Sequence, residues 1–213
     1  MKRVAIIVAH ADDEVLSAGG LILKLKDYSP LIIHTTDSVY TDYDGNVHRT
    51  PEEAHIETYE SLLSLGVMPD QIINLGYKTK VVPYNSEIVE KLDKLLSQNE
   101  VDSVFTHNPD DSHNDHANTA KAVFSACRRL PNLFTFEPVF PANSISLFHP
   151  QMYVDISDTY SDKVFALKLH ESQYKKYGQK WIDSVDALSR MRGIESCCER
   201  AEAFCVIKMR INP

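Results

Sequence analysis

Two short segments carry most of the residues in this 213-residue chain whose types and spacing could do chemistry. His10, Asp12, Asp13 and Glu14 fall within V-A-H-A-D-D-E, and Asp111, His113, Asp115 and His116 within D-D-S-H-N-D-H. An imidazole and three carboxylates within five residues are costly to fold unless a cation compensates them. A divalent metal is therefore expected, and imidazole nitrogen with carboxylate oxygen is a donor set that zinc takes. Adjacent Asp12 and Asp13 diverge, so one can ligate while the other faces a substrate. Helix capping would account for one of these carboxylates, but not for all of them together with an imidazole. If a helix begins in the second segment, His113 and His116 stand i,i+3 on one face. His10, Asp13 and His116 then form a candidate ligand set with the open position that catalytic zinc sites keep. His113 would stand beside the metal without ligating it, with Asp115 hydrogen-bonded to it and fixing its tautomer.

Such side chains need elements to aim them. Residues 3–9 form a short apolar run of the kind a buried parallel strand shows. Residues 14–27 read as a helix that packs tightly at Gly19-Gly20, and 31–36 as a second strand. Residues 37–50 lack a helical period, contain the turn signal D-G-N, and form a connection long enough to be functional. Thr50-Pro51-Glu52-Glu53 predicts an N-cap, a Pro at N1 and a capping box, with the helix ending at Leu65 and Gly66 at C′. A strand at 71–75, a helix at 85–98, a strand at 101–106 and a helix at 116–130 follow. Strands are expected at 134–137, 152–156 and 202–208, with helices at 163–174 and 181–191. Alternating strands and helices predict an α/β fold of parallel βαβ units. Both chemically dense segments follow strands, which places them at the carboxyl edge of the sheet, where open α/β folds bind ligands. No linker, repeat or low-complexity tract interrupts the chain, so one domain spanning 1–213 is expected.

The net charge of −8 argues against nucleic acid or an anionic membrane as a bulk partner. The apolar start is broken by His10 and two aspartates, too soon for a signal peptide or a membrane span. A cytoplasmic location is the expectation. The four cysteines show no structural-zinc CxxC spacing and read as reduced. Tyr40, Tyr43 and Asp44 lie on the long loop over the sheet edge and could form an aromatic wall there; Trp181 and His34 read as structural. A Gly-rich phosphate loop is absent from the first strand–helix junction, and carboxylates there would repel a phosphate.

A-H-A-D-D-E together with D-D-S-H-N-D-H resembles the two motifs of the PIG-L/LmbE-like deacetylases, A-H-P-D-D-E and H-P-x-D-x-H-x-D-H. Gly19-Gly20, the H-E-S-Q at 170–173, Arg192-Gly193 and A-E-A-F at 201–204 resemble further signatures of that family, so the likeness spans most of the chain. It implies a Rossmann-like parallel sheet with helices on both faces and a mononuclear, usually zinc, site. The implied activity is hydrolytic removal of the acetyl group from an N-acetylglucosamine-type conjugate, releasing acetate. The implied substrate is a small N-acetylated sugar or sugar conjugate, with homo-oligomerisation left open. Carried over by position, His10, Asp13 and His116 are the ligands and Asp12 the general base. A cationic His113, oriented by Asp115, stabilises the oxyanion. Arg49, Asp111 and His170 are the candidates for substrate contact. Ala11 replaces the motif Pro, Asn108 replaces the first His of the second motif, and His55 falls where the family often carries an Arg. The alternative is a metal-dependent amidase or esterase acting on a non-sugar substrate.

Overall fold

The β-branched run at the start of the chain becomes the central strand of a sheet. A computed structural model describes residues 3–139 and 148–210. Its elements are β1 (Val4–Val8), α1 (Asp13–Lys24), β2 (Leu31–Thr36), the small hairpin β3 (Tyr40–Thr41) and β4 (Val47–Arg49), and α2 (Pro51–Ser64). There follow β5 (Ile72–Tyr77), α3 (Ser86–Gln98), β6 (Ser103–Thr106), α4 (Asn114–Ala126), β7 (Asn132–Phe136) and β8 (Met152–Asp155). The chain closes with α5 (Tyr160–Lys168), α6 (Glu171–Tyr177), α7 (Gln179–Ser196) and β9 (Ala201–Lys208).

Seven strands form one sheet in the order β5-β2-β1-β6-β7-β9-β8. The first five of these are mutually parallel, as the alternating pattern predicts. The far edge differs from the expected parallel arrangement: β9 runs antiparallel to both β7 and β8. The apolar alternation that marks β9 as a strand carries no information on its direction.

Both faces are covered. Val4, Ile6, Val8, Ile32, Phe105 and Phe204 pack with α1, α2, α5 and α7, while Ala5, Ile7, Leu31, Ile33 and Val104 pack with α3 and α4. Successive strand residues point to opposite faces, and a sheet buried on both sides needs a continuous apolar run, which β1 supplies.

The helix starts follow local chemistry. Thr50 and Glu53 form the expected capping box, and Asn85 caps α3 through its side chain. α1 is irregular. Ala18 has non-helical φ −146°, and the Gly20 and Leu21 N–H groups donate to the Glu202 carboxylate at 2.9 and 2.8 Å. A Cβ on Gly20 would lie 2.4 Å from Ile156 Cγ2, so the glycine is required by close approach. Glu202, on β9, also pairs with buried Lys163 at 2.7 Å. The expected helix at 163–174 is instead two helices, α5 and α6, breaking at Leu169 and His170. The expected loop at 37–50 contains the β3–β4 hairpin.

β1 pairs with β2 on one side and β6 on the other, so the strand order reverses between β1 and β6. Their carboxyl ends form the crevice at which open α/β sheets bind ligands.

Candidate functional site

The segments after β1 and β6 meet across this crevice. His10 follows β1, Asp13 opens α1, and His116 lies in the first turn of α4. His10 Nδ1 stands 3.2 Å from His116 Nε2 and 3.2 Å from Asp13 Oδ2, and His116 Nε2 stands 3.4 Å from Asp13 Oδ2. Neighbouring donors around a tetrahedral ion at about 2.0–2.1 Å stand ~3.3–3.4 Å apart. The triangle therefore has the size of one face of such a centre.

The far side of each ring fixes its tautomer. His10 Nε2 donates to Asp115 Oδ2 at 3.1 Å, and His116 Nδ1 donates to Asp111 Oδ2 at 3.0 Å. Ionised carboxylates only accept, so these nitrogens carry the protons. The lone pairs of His10 Nδ1 and His116 Nε2 then converge with Asp13 Oδ2, an arrangement that calls for a cation. This is the carboxylate–histidine arrangement that orients metal ligands.

Two other groupings, His10 with His113 and His116, and Asp13 with His107 and His116, also bring ligand atoms within 4.8 Å of one another. His107 Nε2 accepts the Ala9 N–H at 2.9 Å, which occupies its lone pair. Its ring stacks on His116 at 4.0 Å and walls the site. His107 stands one place before Asn108 at the entry to the second motif, a position visible in the sequence but given no role by the motif.

His113 caps α4: its Nδ1 accepts the Asp115 N–H at 3.2 Å. The proton of the neutral ring is thereby placed on Nε2, on a residue that lines the cavity. Two expectations change here. The Asp115 carboxylate lies on His10 rather than on His113, and it also accepts the Lys80 and Val82 N–H groups at 2.6 and 3.1 Å. His113 is neutral rather than cationic at pH 7 in the metal-free protein, because burial and the neighbouring His116 and His10 push its pKa down to about 4. Its place at a helix N-terminus acts in the same direction.

The other shifts follow from the same crowding. Burial opposes charge on His116, but the carboxylates of Asp13 and Asp111 outweigh it and raise the pKa to about 10. His10, also buried, is raised by Asp115 and Asp13. Asp13 is held well below the usual carboxylate range, against burial, by His116, His107 and His10. Burial and then repulsion from Asp13 raise Asp12 to about 7, opposed by Arg49 and His10. Protons thus supply, in the metal-free protein, the positive charge that the cluster demands.

A cavity of about 280 Å³ opens over these residues, lined by His10, Asp12, Asp13, Arg49, His113 and His116 among others. Tyr40, Tyr177 and Trp181 supply aromatic wall, with Lys80 and Lys176 at the rim. Trp181 is fully buried and packs in the core as well. Tyr43 points entirely into solvent.

Of the residues expected to touch substrate, Arg49 lines the cavity, whereas Asp111 and His170 do not. Asp111 is buried behind His116 and also accepts the His113 N–H at 2.8 Å. His170 is completely buried at the start of α6, and among the described residues neither ring nitrogen has a hydrogen-bond partner. His55 is exposed on α2, its ring tilted at 40° against that of Tyr59.

Comparison with known proteins agrees with this picture. The family model described as PIG-L, GlcNAc-PI de-N-acetylase, matches residues 5–127. The chain is 29% identical over 181 residues to the uncharacterised deacetylase YaiS of Escherichia coli, covering 80% of this chain and 91% of that protein. It is 25% identical over 186 residues to a probable N-acetyl-alpha-D-glucosaminyl L-malate deacetylase of Bacillus cereus, covering 81% and 84%. Among solved structures, the N,N′-diacetylchitobiose deacetylase of Pyrococcus horikoshii superposes with a TM-score of 0.82 at 25% identity, covering 97% of this chain and 84% of that one.

Proposed function

The chain belongs to the GlcNAc-PI de-N-acetylase (PIG-L) family, and from that premise we propose that it removes the acetyl group from an N-acetylated amino sugar or its conjugate as one catalytic domain. The observation that carries this reading is the triangle of His10 Nδ1, Asp13 Oδ2 and His116 Nε2, each edge 3.2–3.4 Å, open on the side facing the cavity. Three neutral or anionic donors of this kind would hold a zinc ion. Bound there, a divalent metal would polarise the amide carbonyl and lower the pKa of water.

The remaining chemistry belongs to the chain. Asp12 lines the cavity beside Asp13 but stands outside the triangle, and in the metal-free protein burial and repulsion from Asp13 raise its pKa to about 7. It takes a proton from the attacking water as the C–O bond forms, then delivers one to the sugar nitrogen as the C–N bond breaks. Acetate and a free amine result. His113 donates Nε2–H to the oxygen on which charge develops. Because its Nδ1 is held by the Asp115 N–H, the donor is aimed without carrying a positive charge. A neutral imidazole at a helix N-terminus serves as electrophile in triosephosphate isomerase in the same way. Tyr40 and Tyr177 offer flat faces to a sugar ring.

The test is acetate release from a panel of N-acetylhexosamines and their conjugates. Chelation is expected to abolish release and added Zn²⁺ to restore it. Full activity after complete metal removal would refute the mechanism. Turnover of non-sugar amides or esters, with none of N-acetylhexosamines, would move the assignment to the alternative hydrolase.

A further inference from the structure

Asp12 adopts φ 120° and ψ −30°, a backbone geometry that L-residues avoid. The peptide plane that precedes it is held at both ends. The Ala11 carbonyl accepts from Arg49 Nη1 at 3.2 Å, and the Asp12 N–H donates to Glu14 Oε2 at 3.1 Å. The flanking groups are tied too: the Ala11 N–H donates to Ser38 Oγ, and Arg49 Nε donates to the Ser38 carbonyl, each at 2.8 Å. The Asp12 carbonyl accepts the first N–H groups of α1 from Val15 and Leu16.

Arg49 and Glu14 are both buried charges, 3% and 0% exposed. Each is backed by another polar group. Glu14 Oε2 faces His34 Nε2 at 3.2 Å, and Arg49 lies 3.7 Å from Glu57, which accepts from the Ser172 N–H and hydroxyl. A planar guanidinium presents its N–H groups in a fixed fork, which here spans two carbonyls on different loops.

We propose that Arg49 and Glu14 clamp the Ala11–Asp12 peptide and are positioning residues that aim the Asp12 carboxylate. The inference rests on the reading of Asp12 as the base. A peptide gripped at its carbonyl and its N–H cannot rotate, so Asp12 is left with its side-chain torsions alone. Released, the segment relaxes to an ordinary φ and the carboxylate swings away. The burial of both charges, which a substrate contact does not need, serves this purpose.

R49K, E14A and E14Q in the zinc-loaded protein test the clamp. An ammonium cannot reproduce the fork, and R49K is expected to lose about 10²-fold in kcat, the scale of loss from a small misplacement of a reacting group. KM should stay within about threefold and zinc content should be unchanged. E14A should match it, while E14Q, which keeps an acceptor for the Asp12 N–H, should recover most of kcat. R49K that raises KM and spares kcat would make Arg49 a substrate contact and overturn the clamp, as would E14A with wild-type kcat.

Amide hydrogen exchange gives a readout independent of turnover. The Asp12 amide should be protected in the wild-type protein and lose protection in E14A while the β1 amides keep theirs. Rapid exchange at Asp12 in the wild type would refute the clamp even if deacetylation is observed. Absence of acetate release with a protected Asp12 amide would instead refute the proposed function alone.

Discussion

His10 and His116 are each one ring with two tasks. One nitrogen faces the proposed metal position, and the other is tied to a buried carboxylate. Asp111 and Asp115 therefore act through the rings, and losing them should weaken metal binding more than it disturbs the fold. D111N is expected to lower zinc affinity about 10–100-fold, measured by competition with a chromophoric chelator. Unchanged affinity would show that His116 is oriented without Asp111. Asp12 makes the opposite prediction: D12N should bind zinc normally and lose about 10²–10⁴-fold in kcat. Near-wild-type turnover would remove it as the base. The convergence of His10, Asp13 and His116 was legible in the sequence, because imidazole and carboxylate at neighbouring strand ends share one sheet edge. The direction of the supporting carboxylates was not. Asp111 and Asp115 sit in the same short motif, and only the path of the loop into α4 turns one onto His116 and the other onto His10. The tautomer of His113 was equally out of reach, since it depends on a capping bond within the first turn of α4.

Elements were legible where chemistry is local. Thr50, Pro51 and Glu53 mark the start of α2 by a reciprocal hydrogen-bond pair that three neighbouring residues determine. The break between α5 and α6 is not local. Leu169 and His170 carry no Gly or Pro signal, and the chain turns because Ser172, on the far side, is held by Glu57 of α2. The Gly19-Gly20 pair was visible as a place of close packing, but its partners, Lys163 on α5 and Ile156 and Thr159 before it, lie far along the chain. That contact supports a prediction. G20A would force a methyl into Ile156, and overpacking of this kind costs about 1–3 kcal/mol. A lowered Tm is expected, with Glu202 losing its hold on the Gly20 and Leu21 N–H groups. A melt indistinguishable from wild type would show that Ile156 yields without cost.

Across the whole molecule, the site joins two halves of one sheet, so binding of the proposed ion would be linked to folding. In the metal-free protein the pKa of His116 is raised from 6.5 to about 10. The stability this gives is fully present below the unfolded value and is lost as pH rises through the folded one. A metal must displace that proton, and the stabilisation it brings should grow with pH across the same window. At a hundredfold excess over Kd, binding contributes about 2.7 kcal/mol, or roughly 5–10 °C in Tm for a chain of this size. Scanning calorimetry with and without Zn²⁺ should show a larger rise near pH 8.5 than near pH 6. An equal rise at both would show that no proton is exchanged. Among the described residues no helix is long and apolar enough to cross a membrane.

The separation of 106 positions between His10 and His116 has a consequence in time. While the chain is being synthesised, its first hundred residues offer an ion His10 and Asp13 on one turn, without the third donor. The site closes only when β6 has paired beside β1 and α4 has docked, a non-local parallel pairing that is slow compared with local folding. On the proposed reading, metal capture would be a late event in the life of the nascent chain, reporting that the two halves of the sheet have found each other.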